Sequence, residues 1–329
     1  MLLLRLFRIR SPVWLDCCAK AGPPHNQGHP PRAAPDLSQA WRLLMNAFVR
    51  VLFALCLVFT CSGNIALAAA KKPVRIVYVE WPCAVVTTNI AKVVIEERLG
   101  RQCEILPVSV AVKFQSLALG EADATVAAWL PNTQKTYWDK VKDRVEDLGP
   151  IVGGARLGWV VPDYVPYKSI EELQGKAKEF GGKIYGIDPG AEYMATSEKA
   201  IKEYGLKGFD LMEGSDAVMV AMLADAIKKQ QPVVVTGWAP HWKFGRWKLH
   251  FLDDPKGFFG TEEEIHSLVR KGLKQDMPDV YAFLDKFSYT DTQQLQALMA
   301  ENEEPGADPF ENARKFVREH KEQVDSWLK

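Results

Sequence analysis

The feature that most constrains the fold is an alternation of strand-like and helix-like segments between residues 74 and 239. Short apolar runs such as "VRIVYVEW" and "ADATVAAWL" are separated by amphipathic stretches such as "VVTTNIAKVVIEERLG", which ends at Gly100. A second alternating set leads from "KIYGIDPG" to "PVVVTGW". Strands interleaved with helices predict an α/β fold with mainly parallel sheets that helices cover on both faces.

Two further segments complete this organisation. The stretch "LGWVVPDYV" at 157–165 is predicted to cross from the first alternating set to the second. After Gly257 the chain becomes charged, and we expect helices from there to the end, with "TEEEIH" as a solvated helix start. These helices are expected to pack back onto the first part of the fold.

The N-terminal region has the pattern of an export signal. Residues 45–70 combine a basic start, an apolar run of roughly ten residues and small residues before Lys71, as in secretory signal peptides. The apolar run is shorter than the ~20 residues of a membrane-spanning helix. We predict cleavage after Ala68 or Ala70 and no lipid anchor at Cys61. Residues 1–44, rich in Pro and Arg, can bury little and are interpreted as a disordered extension upstream of the true start.

Removal of the first 70 residues changes both the charge and the cysteine content. The remaining chain has 34 basic and 39 acidic residues, a net charge of −5, and shows no basic stripe typical of nucleic-acid binding. Only Cys83 and Cys103 remain. In a βαβ unit these two positions lie at opposite ends of the sheet, too far apart for a disulfide, so we predict two free, mostly buried thiols.

Three tryptophans follow the same rule of placement. Trp81, Trp129 and Trp238 each lie where a predicted strand ends, and each precedes a proline by one or two residues. In α/β sheets ligands bind beyond the carboxyl ends of the strands. Any one of these indoles could be a plug of the apolar core, but three at equivalent ends favour a ligand site. Indole faces attract cations, and a quaternary ammonium suits them because it has no N–H groups to satisfy.

A second element indicates how the other end of such a ligand could be held. The segment "GIDPGAEYMATSEKAI" is a strand, a turn and a helix start, where free backbone amides attract anions. The amides near Glu192 and Tyr193 could bind a carboxylate, which would make the ligand a zwitterionic betaine. Every βα turn carries amides of this kind, so the segment alone leaves the ligand open.

Several motifs together resemble the extracytoplasmic glycine betaine/proline betaine-binding proteins of ABC importers. The likeness runs from about Val74 to Leu328. It implies a type II periplasmic-binding-protein fold whose lobes are residues 71–158 with 257–329, and residues 159–256. It also implies a periplasmic monomer that binds no nucleic acid and delivers its ligand to a membrane permease driven by a separate ATPase subunit. The motifs are "YVEWPCAVVTTNIAKVVIEE", "DATVAAWLPNTQKTYW", "GWVVPDYV", "GIDPGAEYM", "VVVTGWAPHWKFGRWKL" and "EEIHSLVRKG".

The resemblance also implies roles for individual residues. Trp81, Trp129 and Trp238 match the family's cation cage, and the amides of Glu192 and Tyr193 match its carboxylate-binding amides. Two positions differ from the family. Gln134 stands where a histidine is common, and it can still donate a hydrogen bond but carries no charge. Glu192 stands where the turn often has glycine, and its carboxylate must face away from an anionic ligand; if it faces inward, choline becomes the better ligand.

Residues beside the cage positions allow alternative interpretations. Pro82, Cys83 and His241 lie next to cage positions in sequence and are candidates for supporting contacts. His241 could be a catalytic base of a hydrolase, but no nucleophile, zinc or ATP-binding motif accompanies it, and we expect it to orient the Trp238 loop. We expect no enzyme activity, no cofactor and no metal. A choline- or carnitine-binding protein of the same fold, or a ligand sensor without transport, remains an alternative.

Overall fold

The computed structural model describes residues 72–329, together with Trp41 and Met45. The predicted extension and signal peptide, including Cys61, lie outside the described residues apart from those two positions. Within the described part, no helix combines the length and the apolar character that crossing a bilayer requires.

The first alternating set folds as a β-α-β-α-β unit. Its helices begin and end at residues that the sequence marks clearly. Pro82 occupies the first turn of the first helix, where a missing N–H costs nothing, and Ser109 caps the second helix by accepting the amide hydrogen of Val112. Gly120 ends that helix with φ +72°. The elements are β1 (Val74–Tyr78), α1 (Pro82–Val93), β2 (Cys103–Pro107), α2 (Val110–Leu119) and β3 (Ala124–Leu130).

The second alternating set repeats this arrangement. Ser215 caps its second helix through the amide of Val218, as Ser109 does in the first unit. In both units the first strand pairs in parallel with the other two, so the first strand is central. The elements are β5 (Lys183–Tyr185), α4 (Glu192–Glu203), β6 (Asp210–Met212), α5 (Asp216–Lys228) and β7 (Val234–Ala239).

Two antiparallel strands join the units into one sheet of order β2-β1-β3-β9-β4-β7-β5-β6. The long strand β4 (Val145–Pro162) pairs with β9 (Glu263–Arg270) up to Ala155 and with β7 from Arg156 onward. The short strand β8 (Leu249–Phe251) pairs with the end of β4. The prediction of parallel pairing therefore holds within each unit. The segment 157–165 is predicted to cross between the two sets, and residues 157–162 of it belong to β4, the strand that joins the units.

The expectation of a solvated helix start at "TEEEIH" is wrong. Residues Glu263–Arg270 form strand β9 between β3 and β4, and the Glu263 side chain is buried. Pairing on both edges of this segment outweighs the helical preference of its glutamates, because propensity yields to tertiary context.

The rest of the chain is helical as predicted and packs partly against α1. Arg98 at the end of the first helical segment pairs with Asp325, and Glu97 pairs with Arg314. Cys83 and Cys103 are unpaired and buried, which confirms the prediction of two free thiols. The remaining helices are α3 (Lys135–Asp139), α6 (Lys243–Arg246), α7 (Leu273–Asp276), α8 (Pro278–Lys286), α9 (Thr292–Asn302), α10 (Pro309–Glu319) and α11 (Lys321–Trp327).

Candidate functional site

The three predicted cage tryptophans lie at the carboxyl ends of strands in the two units. Trp81 follows β1 and precedes the first residue of α1, with extended backbone at φ −96° and ψ 145°. Trp129 and Trp238 are the next-to-last residues of β3 and β7, which hold equivalent places in the two units. The strands β3 and β7 run in opposite directions, and their carboxyl ends approach each other where β4 passes from β9 at Ala155 to β7 at Arg156. This junction brings indoles from distant parts of the chain together.

All three indoles line one cavity between the units. The empty space at this place is about 380 Å³ when the part open to solvent is counted. The tryptophan side chains are almost fully withdrawn from water, at 8%, 3% and 5% exposure for Trp81, Trp129 and Trp238. The other lining residues are Val110, Thr133, Gln134, Leu157, Ile187, Ala191, Glu192 and Tyr193. Gln134, Glu192 and Tyr193 thus share the cavity with the indoles.

Hydrogen bonds fix two of the aromatic walls, and one of these bonds comes from the opposite unit. The Nε1 of Trp81 donates to Asp188 Oδ2 at 3.2 Å, so this indole is held from the loop after β5. The hydroxyl of Tyr193 lies 2.6 Å from the carbonyl of Gly158 and 3.0 Å from that of Gly237, and it accepts the amide hydrogen of Gly237. The Tyr193 hydroxyl is therefore engaged with β4 and β7, and burial raises its pKa.

Gln134 presents a hydrogen-bond donor that no other residue of the described part of the chain uses. Its Oε1 accepts from Lys113 Nζ at 2.9 Å and from the backbone amide of Trp129 at 3.2 Å. Gln134 is only 1% exposed, so its Nε2 cannot bond to bulk water, and this atom has no hydrogen-bond partner among the described residues. A buried donor without a partner costs about 1–3 kcal/mol, so a ligand that supplies an acceptor is favoured here.

The start of α4 forms another part of the cavity wall. Ala191 precedes the helix, and the backbone amides of Glu192 and Tyr193 make no hydrogen bond within the described part of the chain. The Glu192 carboxylate accepts from the amide of Thr136, at 3.2 Å and 3.1 Å from its two oxygens. Thr136 belongs to α3, so this carboxylate bridges the two units while its residue still lines the cavity.

A buried polar group supports Trp238 from behind. The His241 ring packs edge-on against Trp238 at 4.8 Å between centroids, and its Nε2 lies 3.2 Å from Asp216 Oδ1. Its Nδ1 accepts the amide hydrogen of Lys243, so the ring proton resides on Nε2 and is donated to Asp216. Burial lowers the pKa of His241 to about 4, which keeps the ring neutral. His241 does not line the cavity.

Lys243 is a cation that the sequence did not point to. Its side chain is fully buried, its Nζ has no hydrogen-bond partner among the described residues, and this atom lies 4.4 Å from the centre of a Trp238 ring. Burial lowers the pKa of Lys243 to about 8. One face of Trp238 is thereby occupied from within the protein, which leaves a ligand only the other face.

Glu263 anchors the loop that carries Trp129 and Gln134. Its Oε1 accepts the backbone amides of Asn132 at 2.8 Å and Thr133 at 2.9 Å. Its Oε2 is buried without a partner among the described residues, and burial raises the pKa of this carboxyl. The residue that was expected to be solvated is thus a buried acceptor that holds the turn after β3.

The remaining sequence candidates do not line this cavity. Pro82 lines a separate, larger cleft with Glu80 and Arg246. Cys83 is fully buried, and burial raises the pKa of its thiol to about 12, which disfavours the reactive thiolate. Sequence reasoning missed Lys113, although one signal could have found it: it is the only charged residue on the helix face formed by Val110, Phe114 and Leu117.

A known protein family matches most of the chain. Residues 72–319 match the family described as "Substrate binding domain of ABC-type glycine betaine transport system". The glycine betaine/carnitine transport binding protein GbuC of Listeria monocytogenes serotype 1/2a (strain 10403S) is 40% identical over 164 residues. That alignment covers 49% of this chain and 53% of the relative, so it spans about half the length of the curated protein.

Two solved structures have the same fold. Lactococcal OpuAC in its closed conformation with glycine betaine is 40% identical, with a TM-score of 0.74, covering 78% of this chain and 100% of that chain. An ABC-transporter choline-binding protein in complex with choline is 26% identical, with a TM-score of 0.73, covering 78% of this chain and 92% of that chain. The family is one of transport binding proteins rather than of enzymes. This chain belongs to the family of substrate-binding domains of ABC-type glycine betaine transport systems.

Proposed function

We propose that the cavity binds a quaternary-ammonium zwitterion, glycine betaine or a close relative. Trp81, Trp129 and Trp238 form a cage for the methylated cation, and Gln134 with the amides of Glu192 and Tyr193 binds the carboxylate. The observation that carries this proposal is the convergence of three withdrawn indoles on one cavity that also contains unused hydrogen-bond donors.

The attraction between indole faces and a cation favours a quaternary ammonium in this cage. An indole face holds a cation at about 0.5–2 kcal/mol, with the larger value where water is excluded. The three indoles are at most 8% exposed, so each is expected to act near the upper value. An ammonium with N–H groups would lack acceptors against these rings, whereas a trimethylated nitrogen needs none.

Capture is proposed to occur by closure of two lobes, residues 71–158 with 257–329 and residues 159–256. Three contacts between the units support this: Trp81 with Asp188, Thr136 with Glu192, and the Tyr137 hydroxyl with the carbonyl of Gly190 at 2.8 Å. A ligand that touches both lobes stabilises the closed form through contacts that the open form lacks. Pro82 and Cys83 support the Trp81 loop, and His241 supports Trp238.

The family supports a role in transport. The protein is proposed to be a monomer outside the cytoplasm, exported by the signal at 45–70, that delivers its ligand to a membrane permease with a separate ATPase subunit. No enzymatic step and no cofactor form part of this role. GbuC is a glycine betaine/carnitine transport binding protein, and lactococcal OpuAC forms a complex with glycine betaine; both relatives support a betaine as the ligand.

One observation favours choline as a second candidate. The Glu192 residue lines the cavity and brings a negative charge to it, even though its carboxylate accepts from Thr136. If that charge outweighs the donors around it, a ligand without a carboxylate binds better. The choline-binding protein of the same fold, in complex with choline, supports this second candidate.

The proposal is tested with the purified chain from residue 71 onward. A thermal-shift panel of glycine betaine, proline betaine, choline, carnitine and proline is followed by calorimetric titration of every ligand that raises the melting temperature. We expect glycine betaine or proline betaine to give the largest stabilisation and proline to give little. Failure of every quaternary ammonium to bind would overturn the proposal, and a clear preference for choline would replace the ligand.

A further inference from the structure

The carboxylate end of the cavity has a buried cation directly behind it. Lys113 lies on α2, and its side chain is 1% exposed. Its Nζ donates to two oxygens, the backbone carbonyl of Ala127 and the Oε1 of Gln134, both at 2.9 Å. Neither acceptor carries a net charge. A buried ammonium without a counter-charge is costly, and burial accordingly lowers the pKa of Lys113 to about 7.

The same contact determines which way Gln134 points. Its Oε1 accepts from both Lys113 and the Trp129 amide, so the two donor hydrogens of Nε2 are left for another acceptor. Exchanging the two ends of the amide would place an NH2 group against the ammonium and against an N–H, and both contacts would be repulsive. Lys113 therefore fixes the donor side of Gln134 as the side without a protein partner among the described residues.

We infer that Lys113 is a positioning and specificity-determining residue: through Gln134 it orients the donor and supplies the positive charge that favours a carboxylate-bearing ligand in this cavity. This inference rests on the proposed function. The side-chain donor in the cavity wall, Gln134, is neutral, and Lys113 behind it supplies the positive charge. A carboxylate bound to Gln134 Nε2 lies one amide group away from the ammonium, where an opposite charge retains a sizeable attraction in a dry site.

The decisive comparison uses two ligands that differ at one end. Glycine betaine and choline share the trimethylammonium group, but choline has a hydroxyl where glycine betaine has a carboxylate. We expect Lys113→Met, which keeps the length and apolar stem, to weaken glycine betaine at least fivefold, by the loss of one attractive charge. Its effect on choline is expected to stay within twofold. Lys113→Gln, which keeps a polar head without charge, is expected to give the same selective loss.

The control is Lys178→Met, because Lys178 is exposed and its replacement removes the same net charge from the surface. Equal losses for both ligands in Lys113→Met would show a merely structural role and overturn the inference. So would wild-type affinity for glycine betaine in Lys113→Gln. If the unsubstituted protein binds neither ligand, the proposed function itself fails, and that result is distinct from either of these.

A measurement on the unsubstituted protein covers the case in which both variants fail to fold. At pH 8, calorimetry in two buffers of different ionisation enthalpy reports the protons taken up on binding. A ligand carboxylate stabilises the protonated ammonium, so we expect more proton uptake with glycine betaine than with choline. The other titratable group facing Lys113 is the Cys83 thiol, with a pKa near 12, which stays protonated at this pH.

Lys243 also titrates near this pH, but it faces Trp238 at the cation end. Both ligands present the same trimethylammonium group there, so its contribution cancels in the comparison. Larger uptake with glycine betaine supports the inference. Equal proton uptake for the two ligands would contradict it.

Discussion

Replacing Trp129 with leucine is expected to weaken glycine betaine binding about thirtyfold. Trp129 is 3% exposed and lines the cavity, so its ring acts where water is excluded. In such a site one indole contributes about 2 kcal/mol to holding a cation, and each 1.4 kcal/mol corresponds to a factor of ten in affinity. Leucine keeps apolar bulk at the position, and the loss therefore reports mainly the missing ring.

The assay is calorimetric titration, with thermal unfolding to verify that the variant is folded. Loss of a buried ring also lowers stability, by an amount on the order of 3 kcal/mol. Trp327→Leu is the matched control, because Trp327 is 2% exposed, packs against Phe287 in the C-terminal helices and does not line the cavity. The control should lose stability and keep its affinity. An unchanged dissociation constant in Trp129→Leu would refute the cage.

Three further predictions concern groups around the site and the sheet. Glu263→Ala removes the acceptor of two loop amides and should weaken glycine betaine and choline alike, whereas the exposed neighbour Glu262→Ala should change neither, as titration would report. The pKa of His266 is raised overall: burial by itself lowers it, but the hydrogen bond and charge of Asp147 raise it by more. Its contribution to stability is therefore full below about pH 6.5 and is lost as pH rises through the raised value. Urea unfolding should show that His266→Gln costs more at pH 5.5 than at pH 9. Cys103, whose pKa burial raises to about 12, should react with a thiol reagent at pH 8 only on unfolding, together with Cys83.

These predictions have separate outcomes that would contradict them. Selective loss of one ligand in Glu263→Ala would mean that the carboxylate acts on the ligand rather than on the loop. A cost of His266→Gln that does not depend on pH would show that the pairing with Asp147 is not ionic. Rapid labelling of the folded protein would show that the thiols are accessible.

Much of this architecture could be predicted because the chain marks it locally. The alternating apolar runs, the serine caps and Gly120 mark both βαβαβ units. Because ligands bind at the carboxyl ends of strands in such sheets, the tryptophans at those ends could be predicted as site residues. Parallel strands of one unit end at the same edge of the sheet, so the sequence predicts that Trp81 and Trp129 lie together. Trp238 ends a strand of the other unit, and it lines the same cavity because the two units meet at Ala155 and Arg156 of β4.

The parts that escaped prediction depend on contacts between distant segments. Strand β9 has acidic residues that suit a helix start, and only its pairing with β3 and β4 makes it a strand. Lys243 and Glu263 look like surface charges in the sequence, but the fold buries both. The bridge from Glu192 to Thr136 joins residues 56 positions apart, and no local pattern encodes it.

The most direct test of the account is a comparison of glycine betaine with 3,3-dimethylbutanoate, which has the same shape but a carbon atom in place of the charged nitrogen. Both compounds are titrated calorimetrically into the purified chain. If indole faces hold a positive charge in this cavity, glycine betaine should bind at least a hundredfold more tightly, since three rings each favour the cation. Comparable affinity for the two compounds would contradict a cation cage.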